Sequence, residues 1–136
     1  MNTLATEAQS HREIRDKDPR TGRIIGAAIE VHRQLGPGLL ESAYEECLCH
    51  ELRLRGLTFR QQVDLPVAKG LQLDCGYKID LVINDDVIVE LKAVEKILPL
   101  HEAQLLTYPK LSGKRVGLLI NFNAPLLMQG IVRKVL

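Results

Sequence analysis

The stretch YKIDLVINDDVIVELKAV, residues 77–94, decides how this chain is read. Tyr77 to Ile83 and Val87 to Ala93 read as the two strands of a hairpin. Apolar and β-branched residues dominate both, and Asn84, Asp85 and Asp86 between them are all turn formers. Val87, Ile88 and Val89 have the pattern of a strand buried on both faces. A carboxylate and an ammonium at its far end, Glu90 and Lys92, would be costly to desolvate without a metal, a partner or a ligand. Strand side chains alternate faces, so Ile88, Glu90 and Lys92 share one side while Val89, Leu91 and Ala93 take the other. Whether Asp80 joins them depends on register. A three-residue loop of Asn84, Asp85 and Asp86 places Asp80 across from Glu90, whereas a two-residue Asp85-Asp86 loop sets it opposite Leu91, facing away. The expectation is the three-residue loop, or a bulge with the same result.

Two carboxylates so close would repel and raise one another's pKa unless a cation lies between them. Hard oxygen donors without thiolate or paired imidazole favour magnesium or manganese, which keep several waters and bind substrate phosphates. Lys92 is then placed to position an attacking water or to stabilise charge developing on phosphorus. The chemistry suggested is phosphodiester hydrolysis. Taken alone, Asp-x9-Glu-x-Lys is a weak signal, because a solvated Glu-Lys pair on any charged hairpin has the same spacing.

Outward from the hairpin, Ile24, Ala28, Val31 and Leu35 fall at helical spacing from about Thr21, and Gly36-Pro37-Gly38 stops that helix. A second helix is expected from about Leu40 to Arg55, with Leu40, Tyr44, Cys47, Leu48 and Leu52 or Leu54 on its buried side and Gly56 ending it. Leu57 to Val63, Pro66 to Ala68 and Leu71 to Leu73 read as short strands. After the hairpin, Pro99 at the first helical position opens a helix from Leu100 to about Tyr108, with Pro109 expected to end or kink it. Val116 to Phe122 is an apolar strand, and Gly130 to Leu136 is expected to add an edge strand. Residues 1–20 are polar and read as a flexible tail, leaving residues 21–136 as one domain.

Composition bounds the function classes. No apolar run approaches the roughly 20 residues of a membrane span, and the polar amino-terminal segment lacks the apolar core of a secretory signal, so a soluble, cytoplasmic protein is expected. Cys47, Cys49 and Cys75 are odd in number and lack zinc-site spacing, which reads as reduced thiols. The net charge of +1 names no partner. No glycine loop that cradles phosphate, no Gly-x-Ser-x-Gly elbow and no His-Glu-x-x-His occurs in the chain.

Two further blocks sharpen the reading. Gly38-Leu39-Leu40-Glu41-Ser42-Ala43-Tyr44, preceded by Ala27 to His32 and Leu35-Gly36-Pro37, strongly resembles the GxxExxY protein family. His101 to Tyr108 and Gly117 to Phe122 resemble that family's later blocks. The likeness runs from about Ile24 to the carboxyl terminus. That family is assigned to the PD-(D/E)XK nuclease superfamily. The resemblance implies an α/β (α+β) fold, a restriction-endonuclease-like mixed β-sheet core flanked by helices in α-β-β-β-α-β order.

By position, the resemblance implies that Asp80 and Glu90 are metal ligands, Lys92 the catalytic lysine and Glu41 an extra carboxylate from the preceding helix. Gln104 is similar to a glutamine that some branches place beside the metal-bound water or the substrate phosphate, and Tyr44 and Tyr108 are candidates to line the cleft. Each has a plainer alternative. Glu41 in a first helical turn is favoured by the exposed amides alone. Tyr44 reads first as a core residue, and Gln104 and Tyr108, four apart, suit a solvent-facing ridge as well as a cleft. His32 and His101 read first as surface or hydrogen-bonded core residues.

The function implied is a metal-dependent nuclease acting on nucleic acid, DNA ahead of RNA, with magnesium or manganese as cofactor. Its cations, Arg53, Arg55, Arg60, Lys110, Lys114, Arg115, Arg133 and Lys134, are interspersed with acids, and a homodimer would join two modest basic faces. The competing reading is a non-catalytic binding module or accessory subunit on the same fold, for which the Asp80, Glu90 and Lys92 trio has no obvious use.

Overall fold

The computed structural model describes residues 18–68, 71–72 and 77–135. Helix α1 (Pro19–Leu35) starts two residues earlier than its apolar spacing indicated, because Asp18 caps it by accepting the Arg20 backbone N–H at 3.0 Å. Helix α2 (Glu41–Leu54) follows across the Gly36-Pro37-Gly38 connection, where Gly36 and Gly38 have φ of 67° and 100°. These are left-handed values that glycine adopts without a Cβ clash. Strand β1 (Phe59–Asp64) leads into the short β2 (Pro66–Ala68) and β3 (Leu71–Gln72), which pair only with each other. The expected end of β3 at Leu73 lies outside the described residues, as do Cys75 and residues 1–17 of the expected tail.

Strands β4 (Lys78–Ile83) and β5 (Val87–Lys92) form the hairpin, helix α3 spans Pro99–Ser112, and β6 (Val116–Asn121) and β7 (Ile131–Val135) complete the chain after a 3-10 turn at Leu127–Gly130. The five-stranded sheet has the order β1-β4-β5-β6-β7, with β5 and β6 parallel and the other neighbours antiparallel. A parallel pair needs a crossover, and α3 supplies it. With β2 and β3 set aside as a side hairpin, α1 to β6 keep the α-β-β-β-α-β arrangement, and β7 closes the edge beside β6.

The helix expected to stop at Tyr108 continues through Pro109 to Ser112. Proline removes one N–H, so the Leu105 carbonyl loses its helical partner. Strand β6 lies close against that turn: a Cβ placed on Gly117 would stand 3.2 Å from the Leu105 carbonyl oxygen and 2.9 Å from Leu105 Cδ1. Tyr108 and Pro109 are both buried, so packing of this face holds the helix past the proline. Gly113, at φ 78°, terminates it in the left-handed conformation.

Two apolar layers sandwich the sheet. One joins Ile24, Ala28, Tyr44, Leu48 and Leu52 of α1 and α2 to Leu81, Ile83, Val89, Leu91 and Phe122. The other joins Tyr108 of α3 to Leu65, Ile79, Val82 and Ile88. Tyr44 stacks on Phe122 with ring centroids 4.7 Å apart and planes 8° apart, a geometry worth about 0.5–1.5 kcal/mol beyond burial alone. The central β5 is buried from Val87 to Leu91, Glu90 included.

Candidate active site

The turn that sets the hairpin register is the three-residue one. Asn84 and Asp85 have φ of 53° and 52°, values that Asn and Asp tolerate better than most residues, and Asp86 N–H donates to the Ile83 carbonyl at 3.0 Å. Ile83 therefore faces Val87, Val82 faces Ile88 and Leu81 faces Val89. The next level brings Asp80 to Glu90.

There the regular ladder stops and the carboxylates replace it. The Asp80 backbone N–H donates to Glu90 Oε1 at 3.2 Å, and the Leu91 backbone N–H donates to Asp80 Oδ2 at 2.9 Å. Each acid thus bonds the backbone of the opposite strand, which parts the strands and fixes both side chains. The inward alternation also slips here: Leu81 and Ile83 pack with the α1 and α2 layer, yet Ile79 packs with the α3 layer.

Glu90 is 6% exposed. Burial first, and the neighbouring Asp80 charge second, push its carboxyl up to about 8, against partial relief from the Asp80 backbone N–H and from Lys92. Glu41, in the first turn of α2, keeps an open face to solvent, but crowding by protein atoms and then the Asp80 charge raise its carboxyl as well, with Lys92 opposing and Glu45 adding to the rise. Lys92, half-buried at the end of β5, is the cation whose charge favours the ionised form of both acids.

The end of β5 is held from β6. Asn121, buried and paired in register with Lys92, accepts the Val94 N–H at 3.1 Å and donates to the Val94 carbonyl at 2.9 Å. The Phe122 N–H donates to the Lys92 carbonyl at 2.9 Å.

The remaining candidates divide. Tyr108 is buried, and burial followed by the Glu90 and Asp80 charges raises its hydroxyl pKa. Tyr108 and Gln104 line a pocket of about 340 Å³ with Leu65, Tyr77, Leu100 and Leu111 among its walls. Tyr44 is fully buried and belongs to the core rather than to an open cleft: its hydroxyl donates to the Gly36 carbonyl at 2.6 Å and accepts the Leu39 N–H at 3.1 Å. It ties down the glycine loop from which Glu41 departs. His32 is buried against the Ala124 carbonyl at 2.8 Å, and His101 Nδ1 accepts the Leu98 N–H at the start of α3. Both histidines bond to the backbone. Cys47 and Cys49 are free thiols.

Two residues at the site gave little sign in the sequence. Glu45, one turn after Glu41 on α2, accepts the side-chain amides of Gln61 and Gln62, and Gln62 also reaches Asp80. The i,i+4 spacing of Glu41 and Glu45 is the one signal that could have flagged the first. Nothing marked Gln62.

The donor set suits a hard divalent cation. Asp80 and Glu90 offer carboxylate oxygens side by side, and a cation there would favour the ionised form of Glu90 that burial disfavours. Among the described residues no three His, Cys, Asp or Glu side chains converge tightly enough to hold an ion by themselves. A divalent ion that keeps several waters fits such a pair of carboxylates.

Most surface cations are already engaged. Arg55 pairs with Glu51, Arg60 and Lys114 with Asp85, Arg133 with Asp18, Lys134 with Glu102, and Arg53 lies over the Phe59 ring. Among the described residues no helix is long and apolar enough to cross a membrane.

Compared with known proteins, residues 18–134 match the family model described as PD-(D/E)XK nuclease superfamily, which spans nearly all of the described fold without singling out the GxxExxY branch. No curated protein and no solved structure matches the chain. The restriction-endonuclease-like α+β sheet and the matched span agree: the chain belongs to the PD-(D/E)XK nuclease superfamily.

Proposed function

We propose that the protein is a metal-dependent phosphodiesterase acting on nucleic acid, DNA in the first instance, with Asp80, Glu90 and Lys92 as its catalytic centre. The observation that carries this reading is the convergence of Asp80 and Glu90 across a hairpin that gives up ladder hydrogen bonds to bring them together. Burial and the Asp80 charge push the Glu90 carboxyl up to about 8, and a bound cation would offset both effects.

Asp80 and Glu90 would hold magnesium or manganese, with Glu41 on α2 adding negative charge beside Asp80. The bound cation supplies charge neutralisation of the phosphate and a lower pKa for water. Lys92 orients the attacking water or stabilises the negative charge that grows on the phosphoryl oxygens. Gln104 and Tyr108 form the wall against which the nucleotide beside the scissile phosphate would lie. Phosphate contacts would come from surface lysines and arginines, several of which would have to exchange a carboxylate partner, so binding should weaken steeply with salt.

The test is a cleavage assay on plasmid, linear, branched and single-stranded DNA and on RNA, with magnesium, manganese or chelator, beside Glu90→Ala and Lys92→Ala. Metal-dependent cleavage lost in both variants supports the enzyme. Cleavage that survives them removes the centre. Silence on every substrate by a folded protein that still binds nucleic acid favours a binding module or accessory subunit.

A further inference from the structure

Strand β1 contains a residue whose backbone the strand itself does not need. Gln62 has φ of 49°, the left-handed region that a γ-branched-free, long side chain rarely occupies in mid-strand. The other non-glycine residues with positive φ among those described, Asn84 and Asp85, lie in the hairpin turn. The β1-β4 register runs Gln61 to Leu81 and Val63 to Ile79, and it skips the level between them, where Gln62 faces Asp80. Val63 and Ile79 then both pack with the α3 layer. The break in alternation therefore falls at one level in both strands, beside the acid pair.

The side chain accounts for the distortion. Gln62 Nε2 donates to Glu45 Oε1 at 3.0 Å and Oε2 at 3.2 Å and to Asp80 Oδ1 at 3.3 Å. Gln61 Nε2 donates to Glu45 Oε2 at 3.0 Å, so Glu45 is itself anchored. Asp80 Oδ2 takes the Leu91 N–H. Both oxygens of Asp80 are thereby gripped from the protein side, which sets the plane of the carboxylate relative to Glu90. A backbone outlier that persists beside the acid pair motivates a functional reading.

We propose that Gln62 is a positioning residue, braced by Glu45, that orients the Asp80 carboxylate for a divalent cation. The inference rests on the metal-dependent reading above and adds to it a residue that contacts neither ion nor substrate. Surface glue is the alternative: if the amide only fastens α2 to β1, its loss lowers stability and leaves ion binding alone. A positioning role gives the opposite pattern. Glycine adopts a positive φ without strain, so Gln62→Gly removes the amide while relieving the backbone.

The experiment measures manganese affinity of the full chain by electron paramagnetic resonance, alongside the melting temperature in chelator, for the unmutated protein, Gln62→Gly and Gln62→Asn. Asparagine tolerates the left-handed backbone but is one methylene too short to span Glu45 and Asp80. The expected result is a manganese affinity about 10–100-fold weaker in both variants, the scale of lost outer hydrogen bonds at metal sites, with the melting temperature of Gln62→Gly undiminished. Unmutated affinity in either folded variant overturns the proposal. Failure of both to fold does so as well, because Gln62 is then structural. An unmutated protein that binds no manganese removes the metal-dependent reading itself, a separate and visible failure.

Discussion

Stability of the metal-free protein should fall as pH rises from about 4.5 to about 8, and Glu90→Gln should abolish most of that fall. The folded Glu90 carboxyl is raised to about 8 from an ordinary 4.5 by burial and then by Asp80. Between those values the folded chain keeps a proton that the unfolded chain has released, so the stabilisation is fully present below about 4.5 and is lost as pH passes through about 8. One such proton is worth up to about 1.4 kcal/mol per pH unit. Across the window this reaches about 3–5 kcal/mol, a large share of the roughly 5–15 kcal/mol by which domains of this kind are stable. Glu41, raised in the same direction, adds to the slope and remains in the variant, so the difference between the two proteins isolates Glu90. Glutamine mimics the protonated side chain and keeps an oxygen for the Asp80 N–H. Urea unfolding followed by circular dichroism in chelator, from pH 4.5 to 8.5, is the assay. The two proteins should agree at pH 4.5 and the variant should be the more stable by several kcal/mol at pH 8. Adding magnesium or manganese should flatten the unmutated curve, because the cation replaces the proton. Parallel pH curves for the two proteins would refute the reasoning.

Other consequences are read from single side chains. Tyr44→Phe removes the hydroxyl that bonds Gly36 and Leu39, and should cost about 1–2 kcal/mol in denaturant unfolding. Gly117→Ala places a methyl 2.9 Å from Leu105 Cδ1 and against a backbone oxygen, so thermal unfolding should show a loss of about 1–3 kcal/mol. Lys92→Ala should lower the rate of magnesium-dependent cleavage by about 10²–10³-fold. The same variant should leave manganese binding by calorimetry intact or tighter, because a neighbouring positive charge has been removed.

The approach of Asp80 to Glu90 was readable in the sequence because the hairpin loop contains its own register information. Asn84 and Asp85 accept left-handed backbone, so three residues turn and Asp80 meets Glu90. Periodicity likewise indicated α1, α2, β5 and β6, where one buried face repeats over several turns or a strand is buried on both sides. What escaped were effects decided between elements. Pro109 read as a stop, yet burial of Tyr108 and Pro109 carries α3 on to Ser112. Tyr44 was ambiguous until the loop it bonds was in place. The distortion at Gln62 and the clasp of Val94 by Asn121 depend on partners far apart in the chain, and neither residue type signals them locally.

The most direct test of the acid pair as a cation site is anomalous diffraction from crystals grown with manganese. A strong peak is expected within bonding distance of a carboxylate oxygen from both Asp80 and Glu90, lost in Glu90→Ala. Density between those two acids that stays empty at saturating manganese, or a peak bound elsewhere, would contradict that expectation.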